Sequence, residues 1–284
     1  MCRLFGMSAG EQRARATFWL LDAPDSLSAQ SHREPDGTGL GWFDERGVPR
    51  RSRQPIAAYA DRQFARESHE VSSSTFVAHI RFASTGALEV RNTHPFEQRR
   101  RLFAHNGVIA DLPRLEQRLG DDLALVQGDT DSERLFALIS KETAAHDGDV
   151  EAGIEAACGW VARTLPLLAI NLVLSTEHDL WALRYPDVHD LFVLERRPGD
   201  ALDHNSSLGT RVNSDHDGQL VVVASEQLDD DAWRLLSPGE LVHISRDLEV
   251  GSRVILPDPP AHQLTLADLD PRARASQAAG RPPS

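Results

Sequence analysis

Cys2 is the first residue of this chain whose side chain could do chemistry, and its position matters as much as its type. Cysteine is small enough for the initiator Met1 to be removed, which would leave Cys2 with a free α-amine. An α-amine has a pKa of about 7.7–8.0 and a free thiol one of about 8.5, so the two groups are matched for proton transfer near neutral pH. One residue would then supply both a nucleophile and its base.

Four polar clusters interrupt or end apolar segments farther along the chain. They are HIRFASTG around Arg81, NTHPF around His94, AHNG with Asn106 and Gly107, and GDTDSE around Asp131. Each also has a purely structural interpretation: a surface strand residue, a loop, a common Asn-Gly hairpin turn and a helix cap. Taken with the N-terminal cysteine, they provide an arginine for a carboxylate, an Asn-Gly pair for an oxyanion and an acid for an ammonium group. Glutamine hydrolysis requires this combination.

Composition excludes several other classes of protein. The 284 residues carry a formal net charge of −13 and no basic stripe, which argues against a nucleic-acid partner. No apolar run approaches the roughly 20 residues needed to span a bilayer, and the N-terminus lacks a secretory signal. The two cysteines, Cys2 and Cys158, are far apart and predict no disulfide framework. We therefore expect a cytoplasmic protein with no membrane partner.

The elements that must position the polar clusters are rich in strands. CRLFGMSA predicts a buried strand at the N-terminus, EQRARATFWLLDAPDSL a helix, and GLGWF and STFVAHIRFAS two strands. THPFEQRRRLFAHNGVIA predicts a hairpin with its arginine run at the solvated end. Three helices follow, in DLPRLEQRLG, DTDSERLFALISKE and VEAGIEAACGWVARTL, and then five strands in LLAINLVLS, DLWALRY, DLFVLERR, QLVVVAS and ELVHIS. Consecutive strands without intervening helices indicate antiparallel pairing and an α+β architecture.

The domain organisation follows from a change in composition near Pro257. Residues 2–256 show no linker and no internal repeat, and we expect one domain there. Residues 257–284 are rich in Pro, Ala and Arg and contain no aromatic residue, so we expect a mostly disordered tail.

On these motifs the chain resembles the class II glutamine amidotransferases, whose type 2 glutaminase domain is an N-terminal nucleophile (Ntn) hydrolase. The resemblance covers residues 2 to about 250 and is strongest to short stand-alone members that begin MC-x-L-x-G-M-S. Its motifs, in matching order and spacing, are MCRLFGMSA, DGTGLGWF, VAHIRFASTG, NTHPF, AHNG, GDTDSE and VVVASEQLDDDAWRLLSPGEL. The resemblance implies a four-layer αββα sandwich with two mainly antiparallel sheets.

The resemblance also implies roles for individual residues. Cys2 would be the nucleophile, with its own α-amine as the general base. The side-chain amide of Asn106 and the backbone N–H of Gly107 would form the oxyanion hole. Arg81 would pair with the substrate α-carboxylate, which suits bidentate guanidinium geometry, and Asp131 would hold the α-ammonium.

Other positions match the family pattern less closely. Ser84 and Thr85 stand where the family motif R-W-A-T-H-G has Thr and His, and we expect both to contact substrate. His94 falls on the motif histidine and would order the pocket, whereas Asp129 would be a helix-start acid. No synthase region follows the glutaminase motifs, so ammonia would be released or passed to a partner synthase.

The leading hypothesis is an amidohydrolase that cleaves the γ-amide of glutamine or of a γ-glutamyl compound through a thioester, without metal or cofactor. A γ-glutamyl hydrolase of a small thiol metabolite, as in ergothioneine biosynthesis, would use the same residues. A non-catalytic glutamine-binding subunit is disfavoured because every motif residue is present. Metal-dependent hydrolysis is disfavoured because no HxH or HExxH spacing occurs, although several polar residues could converge: His32, His79, His94, His105 and Asp36.

Overall fold

Two antiparallel sheets form the centre of the protein in a computed structural model that describes residues 2–82, 86–197 and 218–278. The strands are β1 (Arg3–Ser8), β2 (Gly37–Phe43), β3 (Pro49–Gln54), β4 (Thr75–Arg81), β5 (Phe96–Gln98), β6 (Arg101–Ile109), β7 (Leu167–Ser175), β8 (Leu180–Leu183), β9 (Phe192–Arg196), β10 (Leu220–Ala224), β11 (Arg234–Leu235), β12 (Glu240–Ile244) and β13 (Val250–Val254). The α-helices are α1 (Leu27–Gln30), α2 (Arg62–Glu70), α3 (Leu112–Leu119), α4 (Asp131–Ala145), α5 (Val150–Thr164) and α6 (Pro271–Ala278).

The order of the strands places the N-terminus in the middle of the molecule. The first sheet runs β11-β9-β10-β1-β4-β2-β3 and the second β13-β12-β8-β7-β6-β5. Strand β1 is therefore an interior strand, paired antiparallel with β10 on one side and with β4 on the other. A residue directly before β1 begins a central strand and is held by both of its neighbours.

Three hydrophobic layers separate four layers of secondary structure. Alternation along β1 sends Leu4 to the layer between the sheets and Phe5 and Met7 to the layer on the side of α1 and α2. On the other side of the molecule, Phe103 of the second sheet stacks on Phe136 of α4 in a layer that also includes α3 and α5. The predicted αββα sandwich with antiparallel sheets is confirmed.

Most of the predicted elements lie where the sequence pattern placed them. The apolar run LLAINLVLS is β7, and the three central helices are α3, α4 and α5. The arginine run turns at Arg99 and Arg100, both exposed and both with positive φ, between β5 and β6. The hairpin end predicted there is confirmed.

The predicted helix over EQRARATFWLLDAPDSL is wrong. The segment contains only a π-helical turn at Phe18–Asp22, and the short helix α1 begins at its last residue, Leu27, after the N-cap Ser26. The preceding backbone is extended because Ala14 and Ser73 exchange two hydrogen bonds of 3.0 Å. A tertiary bridge thus overrides the local helical pattern.

The segment expected to be a disordered tail is folded in its described part, residues 257–278. Gln263 forms a parallel bridge with Leu167 at the start of β7. Leu269 and Ala273 pack on Leu168 of β7 and Val108 of β6 in a small hydrophobic cluster. This burial, which composition did not indicate, holds α6 on the sheets, and residues 279–284 lie outside the described residues.

Among the described residues, no helix is both long enough and apolar enough to cross a membrane.

Candidate active site

Cys2 lies at the start of the central strand β1 and is buried, with 8% of its surface exposed. Its Sγ accepts a hydrogen bond from the backbone N–H of Phe82 and donates one to the carbonyl oxygen of Phe82, both at 3.3 Å. Phe82 directly follows β4, the antiparallel neighbour of β1. The end of one strand thus fixes the thiol at the beginning of the next.

A small pocket brings Cys2 together with four of the other predicted site residues. We call it the nucleophile pocket; its lining includes Cys2, Arg81, His94, Gly107 and Asp131. These residues come from the position before β1, from β4, from the loop before β5, from β6 and from the first turn of α4, so both sheets contribute. Residues separated by up to 129 positions in the chain therefore share one site.

Asn106 and Gly107 lie in the interior of β6 and not in a hairpin turn. The Nδ2 atom of Asn106 donates a hydrogen bond of 2.9 Å to the backbone oxygen of Cys2, which ties the second sheet to the first at the nucleophile. Gly107 has φ +155, and a Cβ there would come within 1.9 Å of the carbonyl oxygen of Ala169. Glycine is required at this position for backbone packing.

Arg81 is the last residue of β4 and is buried. Its Nη1 donates a 3.1 Å hydrogen bond to the carbonyl oxygen of Ala87, so the guanidinium anchors the backbone at Ala87. Burial lowers the pKa of Arg81, and the charges of Cys2, Asp36 and Asp131 oppose that effect. An anionic ligand group would further stabilise the charged guanidinium.

Asp131 begins α4 but does not cap it. Thr130 is the N-cap, with its hydroxyl accepting from the N–H of Glu133 at 3.2 Å. The carboxylate of Asp131 instead accepts from the backbone N–H of Ile109 at 2.9 Å, which links α4 to the end of β6. The interpretation of Asp131 as a simple helix cap is excluded by this geometry.

Three buried histidines form one side of the nucleophile pocket: His79, His94 and His105. The rings of His79 and His94 lie 4.2 Å apart between centroids, and Nδ1 of His105 is 2.9 Å from Oγ of Ser132. Burial lowers the pKa of all three, that of His79 to about 3. The imidazoles are therefore neutral at pH 7, which suits a role in ordering the pocket.

Glycines in β2 explain how the loop carrying His94 reaches the pocket. A Cβ on Gly39 would lie 1.9 Å from the backbone oxygen of His94, and one on Gly41 would lie 2.9 Å from Cγ of Pro95. The repeated glycines of GTGLG let this loop lie directly on the strand. The sequence contains this signal, but it becomes interpretable only once the contacting loop is known.

Charged groups directly behind Cys2 were not predicted. Arg3 is buried, and its Nη2 lies 2.6 Å from Oε1 of Glu226 and 3.5 Å from Oε1 of Glu34, which is itself fully buried. Burial raises the pKa of the Cys2 thiol, and the charge of Glu34 adds to that effect. In the state described, the cysteine is protonated at neutral pH, so its attack on an amide requires a base.

The remaining predicted residues divide into two groups. Ser84 and Thr85 lie outside the described residues, as does Met1. Asp129 is exposed and pairs with Arg91 at 3.1 Å; it precedes α4 and does not line the pocket.

The metal hypothesis finds no ligand set among the described residues, where no three His, Cys, Asp or Glu side chains are placed to hold a metal ion. His32 stacks on Tyr59 with 4.0 Å between ring centroids and does not line the pocket. The other three histidines suggested for a metal line the pocket as neutral rings. His79, His105 and Ser132 are thus pocket residues whose role the sequence pattern did not identify.

The fold and this site define the class of protein. Residues 1–264 match the family model described as glutamine amidotransferases class-II, and the chain belongs to this family. Its two antiparallel sheets form an αββα sandwich between helical layers, with Cys2 directly before the central strand β1.

Individual relatives agree with this assignment. A γ-glutamyl-hercynylcysteine sulfoxide hydrolase of Mycobacterium tuberculosis is 35% identical over 119 residues, which are 38% of this chain and 50% of that protein. The match therefore spans half the length of that relative.

Two solved structures are similar in fold. A glutamine aminotransferase class-II domain protein from Silicibacter pomeroyi has a TM-score of 0.59 and 23% identity, covering 90% of this chain and 100% of that one. A glutamine phosphoribosylpyrophosphate amidotransferase from B. subtilis has a TM-score of 0.66 and 20% identity, covering 91% and 50%. At these identities the likeness concerns the fold alone.

Proposed function

We propose that the protein hydrolyses the γ-amide bond of glutamine or of a γ-glutamyl amide, with Cys2 as an N-terminal nucleophile. The observation that carries this proposal is the convergence of a buried cysteine, a buried arginine and a buried aspartate on one pocket, with Asn106 hydrogen-bonded to the backbone of the cysteine. Opposite charges at Arg81 and Asp131 suit the two charged ends of an amino acid.

The first step forms a thioester. After removal of Met1, the α-amine of Cys2 takes the thiol proton as the sulfur attacks the γ-carbonyl carbon, and the carbonyl oxygen becomes an oxyanion. Asn106 Nδ2 and the N–H of Gly107 stabilise this oxyanion by hydrogen bonding. The C–N bond then breaks, and the leaving nitrogen departs as ammonia or an amine with the proton held by the α-amine.

The second step hydrolyses the thioester. The α-amine removes a proton from water, whose oxygen attacks the γ-carbonyl carbon and breaks the C–S bond. The proton returns to sulfur, so the products are glutamate, the released amine or ammonia, and the original Cys2. The raised pKa of the buried thiol supports the need for such a base.

The neutral histidines contribute to this reaction without moving protons. An imidazole whose pKa is about 3, as for His79, is a poor base at pH 7 because it binds a proton too weakly. His94 and His79 would instead shape the pocket wall beside the substrate. Ser84 and Thr85, three and four residues after the end of β4, are proposed to contact the glutamyl group.

What happens to the released nitrogen defines two forms of the same proposal. Ammonia from glutamine would be passed to a partner synthase, whereas an amine from a γ-glutamyl compound would simply be released. A relative named as a hydrolase of a γ-glutamyl compound supports the second form.

The test combines mass analysis with a substrate screen. Active protein should lack Met1, release ammonia from glutamine or an amine from γ-glutamyl amides, and gain one adduct at Cys2 from an electrophilic glutamine analogue. Cys2→Ala should abolish turnover and labelling while leaving the circular dichroism spectrum unchanged.

Cys158→Ala is the matched control because Cys158 is fully buried in the helical layer and burial raises its pKa to about 12. This variant should keep both turnover and labelling. Full activity in protein that retains Met1, or in Cys2→Ala, would overturn the proposal.

A further inference from the structure

A second and much larger cavity lies beside the nucleophile pocket. We call it the C-terminal cavity; its volume is about 960 Å³, and the chain from Gln263 to Leu266 and Gln277 of α6 form one wall. Drug-sized organic ligands occupy cavities of roughly 300–1,000 Å³, so the space is far larger than ammonia needs. No step proposed for glutamine uses it.

The cavity is adjacent to the nucleophile on the β10 side of β1. Its lining includes Ser225 and Glu226, which follow β10. Ser225 exchanges hydrogen bonds with Leu4, at 3.1 Å through the backbone and 2.9 Å through its Oγ, and Glu226 contacts Arg3 at 2.6 Å. The wall of the cavity thus lies against the two residues that follow Cys2.

The C-terminal cavity is also linked to the nucleophile pocket through β7 and α6. Leu168 lines the cavity and directly precedes Ala169, whose carbonyl oxygen is 3.4 Å from Nε2 of His105 in the nucleophile pocket. Burial and, more weakly, the charge of Arg272 on α6 lower the pKa of Arg81. The helix that closes the cavity therefore also lies near the proposed carboxylate-binding arginine.

The charges around the cavity are predominantly negative. Its described lining contains four carboxylates and two guanidinium groups: Asp25, Asp187, Asp190, Glu226, Arg33 and Arg184. Arg184 is shared between Asp187 and Asp190, so this group has one negative charge in excess. Arg33 is shared between Asp25 and Glu226, but Glu226 also pairs with Arg3, so this second group has a guanidinium for each carboxylate.

His189 adds no positive charge to this lining. Burial lowers its pKa to about 4, and its Nε2 lies 2.7 Å from Oε1 of Gln277. The neutral ring therefore leaves the excess of carboxylates uncompensated at pH 7. The rest of the described lining combines uncharged polar side chains with apolar ones, among them Leu168, Phe192 and Leu264.

We propose that the C-terminal cavity binds the amine half of a γ-glutamyl amide, and that this half is an aliphatic chain ending in a positively charged group. The proposal rests on the proposed function and specifies its substrate class. The glutamyl half would occupy the nucleophile pocket, and the amine half would extend past Cys2 into the cavity, with its cation at Asp187 and Asp190. Carboxylates in excess stabilise the terminal cation, and the apolar side chains contact the methylene groups.

The test compares substrates that differ only at the end of the amine half. The probes are γ-glutamyl-(4-aminobutyl)amide, which is cationic, γ-glutamyl-n-pentylamide, which is neutral, and the anionic γ-glutamyl-4-aminobutyrate. We expect kcat/KM to be about tenfold higher for the cationic than for the neutral probe, and lowest for the anionic one. Glutamine serves as the reference substrate without an amine half.

The variant Asp190→Asn removes the excess charge and leaves Arg184 one carboxylate partner, Asp187. It should reduce the cationic preference to about twofold or less while leaving glutamine hydrolysis unchanged. The matched control is Asp247→Asn, in the turn between β12 and β13, which should keep the full preference.

The outcomes separate this proposal from the proposed function. Hydrolysis of all probes at rates independent of end charge, or a preference that survives Asp190→Asn, would overturn the cavity assignment alone. Absence of Cys2-dependent hydrolysis with every probe would overturn the proposed function. In that case, titration calorimetry with 1,4-diaminobutane and n-pentylamine still tests the cavity, because equal or no binding of both would contradict it.

Discussion

The nucleophile pocket and the C-terminal cavity lie on opposite sides of β1, the pocket beside β4 and the cavity beside the end of β10. The pocket is small, and its polar groups come from short motifs in the first half of the chain. The cavity is large and acidic, and it depends on a C-terminal segment without any such motif. On the two proposals above, the short motifs determine which bond is broken, whereas the C-terminal segment determines which amine is released.

After the loss of Cys2 itself, the largest effect should come from Asp131, if the nucleophile pocket binds an amino-acid end. Asp131→Asn should cost about 2–5 kcal/mol of transition-state stabilisation with glutamine, because a desolvated ammonium would lose its counter-charge. The amide oxygen of Asn can still accept from the N–H of Ile109, so the fold should be retained. Steady-state kinetics on glutamine measure the loss.

Glutaramate, which lacks the α-ammonium, sharpens this test because the deficit of Asp131→Asn should shrink on it. Asp129→Asn is the control, since Asp129 is exposed two residues away, and it should change the activation free energy by no more than about 0.5 kcal/mol. An equal deficit of Asp131→Asn on both substrates would assign Asp131 to structure only.

Asn106→Ala should lower kcat by about 10²–10³, the usual consequence of losing one oxyanion donor, with a much smaller change in KM. Asn171 offers a matched control because it is the register partner of Asn106, is fully buried and hydrogen-bonds Tyr185 and the backbone of His189. Asn171→Ala should mainly lower the free energy of unfolding. A rise in KM at constant kcat for Asn106→Ala would contradict the oxyanion role.

The buried neutral histidines make the free energy of unfolding depend on pH in the acid range. Above about pH 6.5 His79 is neutral in both the folded and the unfolded chain and causes no pH dependence. Below pH 6.5 it is protonated in the unfolded chain but stays neutral in the fold until about pH 3, so the free energy of unfolding falls with decreasing pH. The expected slope from this one group is about 1.4 kcal/mol per pH unit.

Denaturant titrations between pH 7 and pH 4 measure that slope. His79→Asn should reduce it, whatever its effect on stability at pH 7, whereas replacement of the exposed His69 by Asn should leave it unchanged. Parallel pH profiles for wild type and His79→Asn would show that His79 titrates normally in the fold.

The smallest effect on glutamine hydrolysis should come from the C-terminal segment. Leu269→Ala removes a side chain that packs on Val108 and Leu168, and should cost about 2–3 kcal/mol of local stability in α6. Hydrogen exchange of α6 should accelerate, while kcat/KM for glutamine should stay within about twofold. A large loss of glutamine activity would show that the cavity wall and the nucleophile pocket are one unit.

Much of the fold follows from local patterns. The mostly apolar run LLAINLVLS predicts an interior strand, and all nine of its residues are buried in β7. The capping residue Thr130 predicts the start of α4. The helix predicted before Pro24 fails because the Ala14–Ser73 bridge holds its first part extended. That bridge joins residues 59 positions apart and leaves no trace in a local pattern.

The sequence by itself determined the chemistry available here: an N-terminal cysteine, an arginine, an Asn-Gly pair and an aspartate at characteristic spacing. Only the tertiary structure decided that Asn106 and Gly107 lie within a strand and that Asp131 bonds Ile109 instead of capping its helix. It also decided that a segment without aromatic residues folds against β7 and encloses an acidic cavity. The physical reason is that residue type sets what a group can donate or accept, whereas burial and the neighbours supplied by distant strands set its pKa, its partners and the space beside it.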